Sequence, residues 1–328
     1  MRTLAIIDEY NSETLQIALN LLDDNYSLKI NGLNAYQLSE IEKEQPHLFE
    51  RIAEKIKEGR WNPAVGMWSY SFKEISQENL IRNIIISTAY FHEKFGKRYK
   101  TFYGKKICNN YLPVLIYKSG FDSAILDEED EMYWLDGADN SRTLILGGLS
   151  RVDVSDIDSD FIENNEFITY EELSAEMYTS FIDIESKKLD SLPTPMSDIE
   201  KRVNLAEKIA TQNNEDVHEK INDCWIYIFK GENEKAEKIA DEIIGDRKID
   251  DNFIKIDRDG VKVIDFKFSD SGNGDKVLRL QELDGVEKTL RIMCDEINLG
   301  FRTEIEPYEI ANYVIDKDGC VSEKYLRQ

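Results

Sequence analysis

The hydrophobic period of this chain changes twice, and that limits its possible fold more than any other feature. Up to about residue 190, short apolar runs alternate with stretches of helical spacing. "TLAIID" (3–8) and "YSLKING" (26–32) read as strands. From Pro46 to Glu58, Phe49, Ile52, Ala53 and Ile56 share one helical face, and Gly59 stops the helix. After Ser76, the broad face of Leu80, Ile81, Ile84, Ile85, Thr88, Phe91 and Phe95 predicts a long helix that ends at Gly96. "VLIY" (114–117) and "TLILGG" (143–148) read as further pieces of a buried core. Strands that alternate with helices predict parallel βα units.

The first change comes at "SLPTPMS" (191–197), a linker with two prolines and no period. Ser197 and Glu200 make a capping-box signature. Three amphipathic segments follow, up to Gly245. Their faces carry Ile199, Val203, Ala206 and Ala210, then Val217, Ile221, Cys224, Trp225 and Ile228, then Ala236, Ala240, Ile243 and Ile244. Helices this short are stable only when packed together or on a neighbour. From about residue 252 the period becomes two. "VKVIDFKF" (261–268), "KVLRLQEL" (276–283), "TLRIMCDEI" (289–297) and "FRTEIEPYEIANYVI" (301–315) read as strands joined by Gly-containing turns. The expected organisation is therefore an α/β domain over 1–190, a helical middle domain over 197–247 and a small antiparallel β domain over 252–328.

Charge excludes some partners. Asp and Glu total 65 against 41 Lys and Arg, a net charge of −24. Such a chain repels nucleic-acid phosphates and anionic membranes. No apolar run reaches the ~20 residues of a membrane span, and the first residues lack the features of a secretory signal. A cytoplasmic protein is expected. Cys108, Cys224, Cys294 and Cys320 show no CxxC spacing, so neither a zinc ribbon nor a disulfide framework is expected. Phosphate-loop, dinucleotide, nucleophile-elbow and HExxH motifs are absent.

Six phrases, in order, resemble glycoside hydrolase family 38, the α-mannosidases. They are "YQLSEIEKEQPHLFERIAEKIKEGRW" (36–61), "GMWSYSFKEISQENLIRNIIISTAYFHEKFGK" (66–97), "LPVLIYKSGFDSAIL" (112–126), "YWLDGADNSRTLIL" (133–146), "DIEKRVNLAEKIA" (198–210), and the pair "VLRLQEL" (277–283) and "IEPYEIANYVI" (305–315). The resemblance implies a deacetylase-like βα barrel, then a three-helix bundle, then β structure, in a shortened member of the family. It also implies a retaining mechanism with a nucleophilic Asp that ligates zinc, together with histidines from separate loops.

Those residues are not found where the resemblance places them. The first strand runs into "LAIIDEYNSET", where only Asp8 and Glu9 could replace the family's His-containing motif. Counting back from Leu112-Pro113, Gly104 falls at the nucleophile's place and is followed by Lys105 and Lys106. No Asp or Glu lies between Lys94 and Phe121, and a cationic lysine there opposes a metal by Coulomb repulsion. The catalytic loop expected near Pro195 and Met196 is missing, and no His follows Trp225. The chain's three histidines, His47, His92 and His218, read as helix-surface residues. Zinc is expected of the family, but its ligands are absent, so no cofactor is expected here.

What remains is a set of aromatic and acidic residues. Trp61, Trp68, Tyr70 and Trp134 resemble strand-end positions where rings could stack on sugars, although such rings also fill cores. Asp136 and Asp139 could bond sugar hydroxyls, although Asp beside Gly is also turn chemistry. The run "LDEEDE" (126–131) reads as a solvated acidic loop. The leading expectation is a degenerate α-mannosidase-like protein whose partner is a glycan or small carbohydrate. An active glycosidase built from Asp8, Glu9, Asp136 and Asp139 is the alternative. A scaffold acting through its acidic surface is the third reading.

Overall fold

The protein is described by a computed structural model over residues 2–7, 10–66, 68, 76–104, 111–127, 129–137, 139, 141–180, 184–188, 195–250, 253–269, 273–295 and 297–324. The first region contains β1 (Arg2–Ile7), α1 (Ser12–Asp24), β2 (Ile30–Gly32), α2 (Ala35–Glu44), α3 (Pro46–Lys57), β3 (Trp61–Asn62) and α4 (Gln77–Phe95). It continues through β4 (Thr101–Gly104), α5 (Leu112–Lys118), β5 (Ser123–Leu126), β6 (Tyr133–Asp136), β7 (Arg142–Leu146) and β8 (Arg151–Asp153). It closes with α6 (Ser159–Asn164), β9 (Glu166–Phe167), α7 (Tyr170–Ser180) and β10 (Ser186–Lys188). "VLIY" lies inside helix α5, because Pro113 opens a helical turn there.

Two sheets form. The first has the order β3-β2-β1-β8, with β9 also on β1, and all its pairings are parallel. The second runs β10-β6-β7-β5-β4. Strands β4, β5 and β7 are parallel, whereas β6 returns from β7 in the opposite direction. A parallel bridge between Gly66 and Tyr103 links the neighbourhoods of the two sheets. At Gly66, φ is 153°, and a Cβ would lie 2.7 Å from the Tyr103 carbonyl, so only glycine lets the two chains approach this closely.

Helix α4 shows how the sequence sets length. Ser76 accepts from Asn79 N–H at the N-terminus, and Gly96 at φ 64° ends the helix. Between them the helix is buried on more than one face, because it packs against α2, α3 and α9.

The middle region holds α8 (Asp198–Gln212), α9 (His218–Phe229) and α10 (Asn233–Ile244). The Ser197–Glu200 capping box is present. The three helices pack on one another, and their apolar faces join the same core cluster as Leu15, Ile30 and Trp61. This region therefore shares the first region's core. The closing region has β11 (Lys255–Ile256), β12 (Val261–Phe268), β13 (Lys276–Glu282), β14 (Lys288–Cys294), β15 (Leu299–Ile305), β16 (Ile310–Ile315) and β17 (Val321–Glu323). They form two antiparallel sheets, β11-β14-β15 and β12-β13-β16-β17, around a separate core that includes Phe266, Leu280 and Ile292. The stretch 301–315, read as one strand, is two, broken where Tyr308 turns the chain at φ 59°.

A buried ionic cluster joins the three regions. Arg82 of α4 bonds Glu78 at 2.6 Å, Glu207 of α8 at 3.2 Å and Asp265 of β12 at 2.7 Å. Arg279 of β13 reaches Glu78 at 3.0 Å. All five side chains are buried. Burial alone would push the Asp265 carboxyl up, but Arg82 and Arg279 hold it below the usual range. Such a cluster adds little net stability over an apolar one, yet removing one partner strands the others at a cost of about 3–5 kcal/mol. Among the described residues, no helix is long and apolar enough to cross a membrane.

Candidate functional site

The strands of the second sheet give two ends to inspect. In an open α/β sheet, ligands bind at the carboxyl ends of the parallel strands. Here β4 ends at Gly104, where the resemblance to family 38 would place the nucleophile. It is buried, and a Cβ added there would lie 3.0 Å from Phe102 Cε1 and 3.2 Å from Leu126 Cδ2. A carboxylate has no room at this backbone position without repacking. Lys105 and Lys106 lie outside the described residues, as do Asp8, Glu9 and Tyr70.

Other polar groups at this end bond one another. Asp127, just after β5, accepts from Tyr103 Oη at 2.5 Å and pairs with Arg151. Tyr103 stacks on Tyr170 with centroids 4.9 Å apart. Glu129 accepts from Tyr133 Oη at 2.9 Å, and its carbonyl accepts from Gly148 N–H at 2.9 Å. The acidic segment thus folds down onto the end of β7. A Cβ at Gly147 would lie 2.4 Å from the Glu129 carbonyl oxygen.

A zinc site needs three or four converging His, Cys or carboxylate donors. No group of three such residues with that geometry occurs among the described residues. His47 on α3 and His92 on α4 are exposed, while His218 on α9 contacts Asn222. Cys224 is buried, and burial pushes its thiol up to about 12, so no thiolate forms near neutral pH.

The amino end is different. The register aligns Thr101, Ser123, Leu144 and Trp134 in one row across β4, β5, β7 and β6. Thr101 and Ser123 are the first residues of their strands, so Trp134 stands at the amino end. Beside it a cleft of about 650 Å³ opens, lined by Tyr117, Lys118, Trp134, Asp139, Ser141, Arg142, Tyr178, Glu306 and Glu309. The Trp134 ring meets Tyr178 edge-on at 5.8 Å, and the Arg142 guanidinium lies over it at 5.2 Å. Arg142 Nε also donates to Asp136 at 3.1 Å. Asp139 accepts from Ser141 N–H at 3.0 Å, while the buried Ser141 Oγ has no hydrogen-bond partner.

Two tyrosines are left open at this cleft, Tyr117 at 49% exposure and Tyr178 at 48%. The far wall comes from the turn between β15 and β16. Glu309 bonds Lys118 of α5 there and also accepts from Glu306 N–H at 2.8 Å. Burial lowers the Lys118 ammonium, but Glu309 outweighs it and holds the ammonium above its ordinary value. Exposed tyrosine faces with fixed carboxylates, an ammonium and a guanidinium suit a polyhydroxylated ligand with one apolar face.

The sequence-selected aromatics therefore separate. Trp134 lines the cleft. Trp61 is 1% exposed and donates from Nε1 to the Gly32 carbonyl at 3.2 Å, so it is a core residue, because the β2–β3 pairing turns its ring inward. Trp68 is also buried, edge-on to Tyr90 at 5.7 Å. Of the acids, Asp139 lines the cleft and Asp136 is paired with Arg142. Tyr117, Tyr178 and Glu309 were not legible, since no local pattern unites residues from a helix end, another helix and a distant β turn.

Residues 1–127 match the family model described as the glycosyl hydrolases family 38 N-terminal domain. In fold, the chain is similar to an alpha-mannosidase from Enterococcus faecalis V583, with a TM-score of 0.56 at 10% identity over 98% of this chain and 61% of that one. It is also similar to a glycosyl hydrolase family 38 protein from Enterococcus faecalis, with a TM-score of 0.51 at 10% identity over 95% of this chain and 53% of that one. This chain thus spans less than two thirds of the length of either structure. No curated protein matches it.

Proposed function

Starting from a chain that resembles family 38 in sequence over 1–127 and in fold over nearly its whole length, we propose an α-mannosidase-like protein that binds carbohydrate and does not perform the family's zinc-dependent hydrolysis. In this reading the parallel first sheet and the mixed second sheet are a reduced form of the family's βα barrel, and α8–α10 correspond to its helical bundle. The observation that supports it is Gly104, which carries no carboxylate and where an added Cβ would press on Phe102 and Leu126. A retaining glycosidase requires two carboxyls about 5–5.5 Å apart across the scissile bond. Asp136 and Asp139 stand at the amino end of the sheet, away from Gly104, and so do not replace what that end lacks.

Binding is assigned to the amino-end cleft. Tyr117 and Tyr178 offer exposed ring faces, and Asp139 and Glu306 offer hydroxyl partners. The test is hydrolysis of an aryl α-mannoside by purified protein with added zinc, against a chelated control. The expected result is no turnover in either at high protein concentration. Turnover that needs zinc and disappears with the chelator would overturn the reading. The same protein is then titrated with mannose and short mannosides by calorimetry, where binding is expected.

A further inference from the structure

A second cleft lies where the three regions meet. It has a volume of about 480 Å³ and is walled by the start of α4, by α8 and by β12 and β13. In a chain of net charge −24, three lysines converge here, Lys201 and Lys208 from α8 and Lys262 from β12. Lys201 is shared with Asp198 at 2.9 Å, whereas Lys208 and Lys262 form no ion pair among the described residues. The one acid in the lining, Glu78, is already bonded to Arg82 and Arg279 at 2.6 and 3.0 Å, so its charge is met from behind.

Two buried amides in the lining each have one atom with no hydrogen-bond partner. Gln77 is 8% exposed, and its Nε2 has no hydrogen-bond partner. Its Oε1 is taken, accepting from Gln281 Nε2 at 3.3 Å. Gln77 is also the first residue of the 19-residue α4, so the positive end of that helix dipole faces the same space. Asn204 is 3% exposed, and its Oδ1 is likewise without a partner. A buried amide donor or acceptor left unmade costs about 1–3 kcal/mol, so both point to a group that is bound in use.

We infer that this junction cleft binds a small hydroxyl-bearing anion of the sugar phosphate class. The phosphate takes Lys208, Lys262 and the free Gln77 Nε2, and a hydroxyl donates to Asn204 Oδ1. The remaining volume accommodates the sugar body against the apolar part of the wall. The site is separate from the amino-end cleft and does not rest on carbohydrate binding there.

The test is calorimetric titration of the full chain at low salt with glucose 6-phosphate, inorganic phosphate and glucose. Glucose 6-phosphate is expected to bind more tightly than inorganic phosphate, and added salt is expected to weaken both. The double variant Lys208→Gln/Lys262→Gln should bind glucose 6-phosphate at least roughly tenfold more weakly, a loss of about 1.4 kcal/mol or more. Both lysines are at least partly exposed, and a melting curve confirms that the variant is folded. Tyr117→Ala should leave this binding unchanged. Absence of binding by either anion, or unchanged affinity in the double variant, overturns the inference. Inorganic phosphate that binds as tightly as glucose 6-phosphate removes the hydroxyl contact and overturns the assignment to a sugar phosphate.

Discussion

The two ends of the second sheet share strands but not chemistry. At the carboxyl end, Tyr103, Asp127 and Arg151 bond one another, Glu129 is held by Tyr133 and Gly148, and Gly104 is packed against Phe102 and Leu126. At the amino end, Trp134, Tyr117, Tyr178 and Ser141 surround an open cleft. A hydrogen bond satisfied within the protein gives a ligand nothing to gain, whereas an open donor or ring face does. Polar residues at a strand end therefore do not identify a site until their partners are known. The end where the fold expects a ligand is the one whose described groups are already engaged with each other.

The sharpest way to break this comparison is to restore a carboxylate at the carboxyl end. Gly104→Asp places a Cβ within 3.0 Å of Phe102 and buries a charge with no partner built for it. Overpacking costs about 1–3 kcal/mol, and an unpaired buried carboxylate adds to that. A loss of at least about 3 kcal/mol in urea unfolding is expected, with no gain of zinc affinity or mannoside turnover. A variant that is stable, binds zinc and turns over would show that this end is still poised for the family's chemistry.

Much of the fold was readable because local chemistry dictated it. Ser76 and Gly96 bound α4, Ser197 and Glu200 cap α8, and alternation marks β12 and β13. Three features were missed. The turn at Tyr308 splits 301–315, and the signal for it was Pro307, which cannot donate to a strand ladder. The middle helices share the first region's core, because amphipathic faces do not name what covers them. Strand register decides whether a tryptophan faces the core or a cleft, and register separates Trp61 from Trp134. The candidate site was half legible for the same reason. Trp134 and Asp139 sit in one phrase, while Tyr117, Tyr178 and Glu309 reach the cleft only through tertiary packing.

A pH titration probes the amino end from its far wall. Glu282 is buried at the end of β13, which on its own would push its carboxyl up, but Lys288 and the N–H groups of Tyr308, Asp284 and Gly285 bring it down to about 2. Its N–H also donates to the Glu309 carbonyl, so this carboxylate holds the turn that carries Glu306 and Glu309. A depressed carboxyl contributes stability that is complete above its unfolded value, near 4.5, and is lost as pH falls toward 2. The stake is about 3 kcal/mol. Unfolding midpoints should fall across that window. Glu282→Gln should flatten the fall, since the neutral amide does not titrate. An unchanged slope in the variant would separate this turn from acid sensitivity.

The smallest change in stability gives the cleanest test of the amino end. Trp134 is buried, so its truncation would cost about 3–5 kcal/mol and confuse binding with folding. Tyr117 and Tyr178 are about half exposed, and surface truncations of that kind usually stay near 0.5 kcal/mol in stability. Their ring faces border the cleft, and an aromatic contact of this type is worth about 0.5–1.5 kcal/mol. Tyr117→Ala and Tyr178→Ala should therefore each weaken mannoside binding by several-fold, and the double variant by roughly tenfold, at nearly unchanged melting temperature. A binding curve unmoved by the double variant would take carbohydrate away from this cleft. The comparison would then turn on the carboxyl end, where Gly104 sets the limit.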